Sequence, residues 1–176
     1  PCRRFVYISS IDVYPKGKGP KLENQQILPA PTDDSYRTIK LACEARLENS
    51  GENNLILRPT ALLGKTARPN SLIRMLRDPN CSLSLAPDSR FNYVTHHQLG
   101  AFILRALHDG LSGVYNIATT GSLGLREVAE ILATCPQYGK FQYDVGDIDN
   151  RKARSVLPEL ARSTRDIVEE FMKAHE

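Results

Sequence analysis

No block of like charges, no C-x-x-C pair and no apolar run of membrane-spanning length occurs in these 176 residues. Lys and Arg number 23 against 20 Asp and Glu, and the net charge of +3 is spread along the chain, which argues against a dedicated nucleic-acid binder. Cys2, Cys43, Cys81 and Cys135 lie far apart with no His at a ligand spacing, so neither a zinc site nor a disulfide framework is legible. Four reduced thiols fit a cytoplasmic protein. The longest apolar stretch, residues 99–107, contains Arg105 and is well short of the ~18 residues that a membrane helix needs. Nothing at the start resembles a signal peptide, and there is neither an internal repeat nor a low-complexity stretch. The chain opens at Pro1, directly before a strand-like run and without an initiator Met, so we expect it to belong to a longer protein.

What is present is enough for one compact domain, with 41% apolar and 24% charged positions. Residues 4–9 (RFVYIS) are β-branched and aromatic and read as a short buried strand feeding a loop. Residues 15–31, punctuated by Pro15, Gly17, Gly19, Pro20, Pro29 and Pro31, have little room for a helix. Asp33 and Asp34 then open a helix to about residue 49, with Gly51 just beyond its end. A second strand, residues 54–57, is expected to stop at Arg58-Pro59, followed by a short helix at 70–77. Strand-like pieces at 82–85 and 92–95 lead to a helix at 97–108, a strand at 113–118 and a helix at 124–133 with Glu127 in capping-box position. Residues 141–145 alternate like an edge strand. A last helix at 163–174 has Ser163 as its cap and Ile167, Val168 and Phe171 on one face. Strands alternating with helices predict an α/β domain with a largely parallel sheet.

Tyr36 and Lys40 lie four apart on the predicted helix and share a face. An ammonium beside a phenol, whose ordinary pKa is about 10, favours the phenolate and creates a group able to exchange a proton with an alcohol or a carbonyl oxygen. The plain alternative is an amphipathic helix surface with Lys40 solvated and Tyr36 half-buried. Tyr14 and Lys18 repeat the spacing, but Pro15 and Gly17 between them preclude a helix.

Several motifs come in one order: "YISSIDVY", "YRTIK", "LRPTALLG", "NYVTHHQLGAFILRAL" and "GVYNIATTGSLGLREVAEIL". Together they resemble the later portion of an extended short-chain dehydrogenase/reductase of the NAD-dependent epimerase/dehydratase family. The resemblance runs from Arg3 to about Leu132 and weakly beyond. It implies a partial Rossmann-type parallel sheet with helices and a small C-terminal substrate-binding subdomain. Residues 1–66 would then be the second half of the dinucleotide-binding domain, and 67–176 mainly the substrate-binding part with returning Rossmann elements. Ser10 matches the Ser that hydrogen-bonds the reacting oxygen, Tyr36 the general acid/base, and Lys40 the residue that tunes it and holds the nicotinamide ribose. Ser9, Pro59 and Thr60 join Tyr36 and Lys40 as expected cofactor contacts, and Asn70 and Arg90 join Ser10 as expected substrate contacts. The implied cofactor is NAD or NADP, and the implied substrate is a hydroxyl-bearing, nucleotide-activated sugar. The implied partners are a second copy of the chain or the missing N-terminal segment, with neither nucleic acid nor membrane.

The sequence also departs from the family. The Gly-rich turn that binds the pyrophosphate is absent. Gly121 with Gly124 coincides with a helix cap, and Gly64-Lys65-Thr66 lacks the Gly that a phosphate loop requires five residues earlier. Roughly the first third of the family fold has no counterpart, which would leave a sheet edge uncovered. Leu63 stands where a Tyr is usual, Thr95 where a His is usual and Gln98 where an Asp is usual, while Arg90 sits one place early for a diphosphate contact. His96 and His97 read as a helix-start pair. Two other readings stay open: a truncated, non-catalytic scaffold paralogue, and a simple reductase or dehydrogenase on the same fold.

Overall fold

The computed structural model describes residues 4–15, 19–30, 34–51 and 53–174; Cys2, Gly17, Lys18, Pro31 and Asp33 lie outside them. In chain order the first half has β1 (Val6–Ile8), a 3-10 turn (Ile11–Val13), α1 (Ser35–Glu48), β2 (Leu55–Pro59), β3 (Ala61–Leu63) and α2 (Ser71–Arg77). The second half has β4 (Arg90–Phe91), β5 (Tyr93–Thr95), α3 (His96–His108), β6 (Gly113–Ile117), β7 (Leu123–Gly124) and α4 (Leu125–Ile131). It closes with α5 (Arg151–Val156), a second 3-10 turn (Pro158–Ala161) and α6 (Thr164–Lys173).

The predicted parallel sheet is there. Strands β1, β2 and β6 pair in that order, both pairs parallel, with Tyr7 opposite Ile56 and Leu57 opposite Tyr115. Leu55, Ile56 and Leu57 are buried, as a central strand covered on both faces should be. Leu55 and Leu57 share a core with Phe102 and Ala106 of α3, Tyr115 and Ile117 of β6, and Ala153 of α5. A second core lies under α2, α4 and α6, around Leu72, Met75, Leu125, Val128 and Phe171.

Arg58 and Pro59 do not stop β2, which runs through Pro59 in register with Ile117. The reason is charge compensation across the fold. Arg58 donates from Nε to Glu44 Oε1 of α1 (3.1 Å), from Nη2 to Glu44 Oε2 (2.6 Å) and from Nη1 to Tyr14 Oη (2.8 Å). Tyr14 in turn donates to Asn116 Oδ1 of β6 (2.9 Å). A buried guanidinium is tolerated because its pairing is bidentate, and removing one partner of such a pair costs about 3–5 kcal/mol.

Local signals placed most helix starts. Asp34 accepts from Arg37 N (2.8 Å), Asn70 from Ile73 N (3.1 Å) and Ser163 from Asp166 N (3.1 Å), each satisfying an otherwise orphaned helix donor. Glu127 returns from α4 to Gly124 N (2.8 Å). Helix α4 ends at Ile131, short of the expected residue 133, because Ala133 turns into the left-handed region at φ 51°. Residues 82–85 and 141–145 do not form strands. They take part only in isolated bridges, Ser82 with Gln137, Leu85 with Phe141 and Asp144 with Arg90, and Phe141 is 73% exposed. An edge strand needs one face buried along its length, which this segment lacks.

Candidate active site

At the C-terminal end of β1 the chain turns at Ser9 and Ser10. Ser9 N donates to Leu57 O of β2 (2.7 Å), which holds the strand end in place. The Ser10 hydroxyl caps the 3-10 turn by accepting from Asp12 N (3.1 Å). Helix α1 brings Tyr36 in its first turn and Lys40 one turn later. Lys40 Nζ donates to Ile8 O (2.8 Å) and lies 5.6 Å from the centroid of the Tyr36 ring and 5.1 Å from that of Tyr7. Tyr36 is 48% exposed, so its phenol is open to a ligand. The end of β2 adds Pro59 and Thr60, with Thr60 Oγ1 fixed on Asn92 Oδ1 (2.9 Å).

These segments enclose a cavity of about 420 Å³. Ser9, Ser10, Tyr36, Lys40, Pro59, Thr60 and Asn70 all line it, so the expected site residues converge from four segments of the chain. Arg90 does not join them. It lies on a separate cavity of about 270 Å³, where its guanidinium donates to Ser122 Oγ (3.0 Å) and Ser122 O (2.7 Å) and pairs with Glu127 at 3.6 Å. Asn70 reaches the wall, but both ends of its amide are engaged: Oδ1 caps α2 and Nδ2 donates to Leu62 O (3.0 Å).

Asp12, Arg68, Phe91, His96 and Tyr143 also line the cavity, and none of them was singled out as a site residue from sequence. Asp12 sits inside the "YISSIDVY" motif, so its proximity to Ser10 was within reach of sequence. Tyr143 donates to Asp12 Oδ1 (2.8 Å) across 131 positions of chain, a separation that carries no local signal. Burial, and after it the negative charge of Asp12, pushes the Tyr143 phenol up, so it stays a donor.

The departures at Thr95 and Gln98 form a unit. Thr95 Oγ1 accepts from Gln98 N (3.0 Å) while Gln98 Oε1 accepts from Thr95 N (2.9 Å), a reciprocal capping box that starts α3. Gly64 is required by its neighbour rather than by a phosphate: a Cβ there would overlap the His96 imidazole. Gly121 O accepts from Asn92 Nδ2 (2.6 Å) and Thr164 Oγ1 (2.9 Å) within a buried polar network.

Ser9 Oγ is a buried hydroxyl on this cavity with no hydrogen-bond partner among the described residues. An unmet polar atom of that kind costs about 1–3 kcal/mol, so a ligand that meets it has something to gain. With Lys40 and the Pro59–Thr60 backbone beside it, the wall fits the polar, planar end of a dinucleotide. No turn rich in glycine for a pyrophosphate accompanies it in the sequence.

No protein-family model matches the sequence, and no curated protein does. Solved structures do. The chain is similar to UDP-N-acetylglucosamine 4-epimerase from Bacillus cereus, at 22% identity and a TM-score of 0.71 over 94% of this chain and 62% of that one. It is similar to dTDP-glucose 4,6-dehydratase from Bacillus anthracis, solved in complex with NAD, at 17% identity and 0.76 over 96% and 60%. A third likeness is dTDP-4-dehydrorhamnose reductase from Bacillus anthracis, in complex with NADP, at 22% and 0.74 over 97% and 65%. The fold is thus the Rossmann-type α/β fold of these enzymes, and the chain spans less than two thirds of the length of each.

Proposed function

We propose that the protein is an NAD(P)-dependent oxidoreductase of the epimerase/dehydratase type, acting on a hydroxyl of a nucleotide-activated sugar. The observation that carries this reading is the convergence of Ser10, Tyr36 and Lys40 on one cavity at the ends of β1 and β2. The nicotinamide, when bound, accepts and returns the hydride. The chain's own residues do the rest. Tyr36 exchanges the hydroxyl proton, and Lys40, whose Nζ lies 5.6 Å from its ring centroid, places a positive charge beside it. Ser10 donates to the reacting oxygen, and Ser9 and Thr60 with the adjoining backbone hold the cofactor's reactive end.

Substrate class and cofactor are carried over from the solved neighbours, whose names include UDP- and dTDP-sugars and two of which are complexes with NAD and NADP. The open edge of β1 would be completed by further strands of a longer chain or by a second copy. A cytoplasmic location accords with the unpaired thiols of Cys43, Cys81 and Cys135.

The test is turnover of UDP-glucose, UDP-glucuronic acid, UDP-N-acetylglucosamine and dTDP-glucose by the full-length protein with NAD or NADP, products being resolved by chromatography. At least one is expected to be converted, and Tyr36→Phe should lower kcat by ~100-fold or more. No conversion of any, or a Tyr36→Phe enzyme retaining more than about a tenth of kcat, overturns the reading.

A further inference from the structure

A hydroxyl has one proton and two lone pairs, and at Ser10 these can be followed individually. One lone pair takes the Asp12 N–H at 3.1 Å. The proton points to Asp12 Oδ2 at 3.4 Å, long for a hydrogen bond between oxygens, whose usual length is about 2.7–2.8 Å. The other carboxylate oxygen, Oδ1, receives Tyr143 Oη at the ordinary distance of 2.8 Å. Ser10, Asp12 and Tyr143 all line the candidate active site. The Asp12 carboxylate is therefore held firmly by one oxygen and loosely engages Ser10 with the other.

The tyrosine is well placed to do this. Its ring stacks on Phe91 with centroids 4.6 Å apart and planes at 22°. Its backbone is tied to the start of β4, where Tyr143 N donates to Ser89 Oγ (3.1 Å) and Arg90 N donates to Tyr143 O (2.8 Å). Lys21, buried nearby, feels the negative charge of Asp144, Asp12 and Asp147.

We propose that Tyr143 is a positioning residue: by holding Asp12 Oδ1 it keeps the carboxylate from closing on Ser10, leaving the Ser10 proton free to transfer its hydrogen bond to a substrate oxygen. This rests on the reading of Ser10 as the donor to the reacting oxygen. Without the Tyr143 hydroxyl, the Asp12 carboxylate turns to Ser10 and competes with substrate for its proton. The competition is felt when charge develops on the reacting oxygen, so it lowers kcat rather than raising KM.

The experiment is a double-mutant cycle on the full-length protein, using whichever of the four named nucleotide sugars is converted. Tyr143→Phe keeps the stacked ring and removes only the hydroxyl. It is expected to lower kcat roughly tenfold, as loss of a hydrogen bond to a charged group does, with KM within about twofold and the thermal midpoint little moved. In a Ser10→Ala background the same change should alter kcat by less than about twofold, because the group it acts through is gone. In an Asp12→Asn background, where no carboxylate is left to close on Ser10, Tyr143→Phe should likewise alter kcat by less than about twofold. Wild-type kcat in Tyr143→Phe, an effect confined to KM, or an undiminished effect in the Ser10→Ala background overturns the proposal while leaving the reading of Ser10 intact. A Ser10→Ala enzyme with unchanged kcat overturns both.

Discussion

β1 and β2 are hydrogen-bonded neighbours of similar apolar composition, yet they occupy opposite environments. Leu55, Ile56 and Leu57 of β2 are sealed on both faces, whereas Phe5, Val6 and Ile8 are 50%, 36% and 42% exposed. Among the described residues β1 pairs with β2 alone. The two strands also divide the labour. β2 carries the buried Arg58–Glu44 pair and much of the core, while β1 ends in the Ser9–Ser10 turn that faces the candidate site. The difference teaches that an apolar run announces a strand without announcing what covers it. Stability is concentrated one strand away from the chemistry.

The largest effect expected from this division is at the ion pair. Glu44→Ala should destabilise the fold by about 3–5 kcal/mol, seen as a lower midpoint in urea denaturation, since it leaves Arg58 buried and uncompensated. An exposed pair such as Arg162 with Glu170 should cost at most about 1 kcal/mol when broken. Next comes the contrast between strands: Leu57→Ala should cost about 2–5 kcal/mol and Ile8→Ala about 1 kcal/mol or less by the same measurement. Equal costs at the two positions would mean that β1 is covered in solution, and the comparison would fall. A smaller effect is expected from Val6→Lys, which should leave stability within about 0.5 kcal/mol and raise the concentration reached before precipitation, because a charge on an open edge discourages strand addition.

The other outer strand, β6, offers the smallest test. It is packed by α5, from which Lys152 Nζ donates to Val114 O (2.7 Å) and lies 3.9 Å from the Tyr115 ring centroid. Just before that helix, hydrogen bonds from Arg151 hold the Asp149 carboxyl down to about 2 from its ordinary 3.8. A carboxyl lowered on folding stabilises above its unfolded value, and that contribution is lost as pH falls from about 4 through 2. Arg151→Ala should therefore lower the thermal midpoint slightly at neutral pH and flatten its decline below pH 4.

The sequence carried much of this, unevenly and for physical reasons. Helix α6 was legible because Ser163 and the Ile167, Val168 and Phe171 stripe are local signals. The parallel sheet followed from alternation of strands and helices. β3 escaped because Arg58-Pro59 read as a stop and the three residues after Thr60 are too short a run to announce a strand. α5 (RKARSV) escaped because Ala153 is its one fully buried residue, leaving no stripe to detect. At the site, Tyr36 and Lys40 were visible as a helical spacing, and Ser10 through its motif. Thr95 and Gln98 stood out as departures although their T-x-x-Q spacing spells a capping box. The Asp12–Tyr143 bond was out of reach, because nothing in either segment specifies the other.

The register of the parallel sheet has a kinetic consequence. Tyr7 meets Ile56, and Ile56 meets Val114, so each pairing closes a loop of about fifty residues or more before any ladder forms. Helices with local caps, α1, α3 and α6, can form early at little entropic cost, but β2 must wait for partners on both sides. A parallel sheet in this register should form slowly, because each strand pairing waits on a distant loop closure. During synthesis β1 meets β2 only after residue 59 has left the ribosome, about fifty residues behind it.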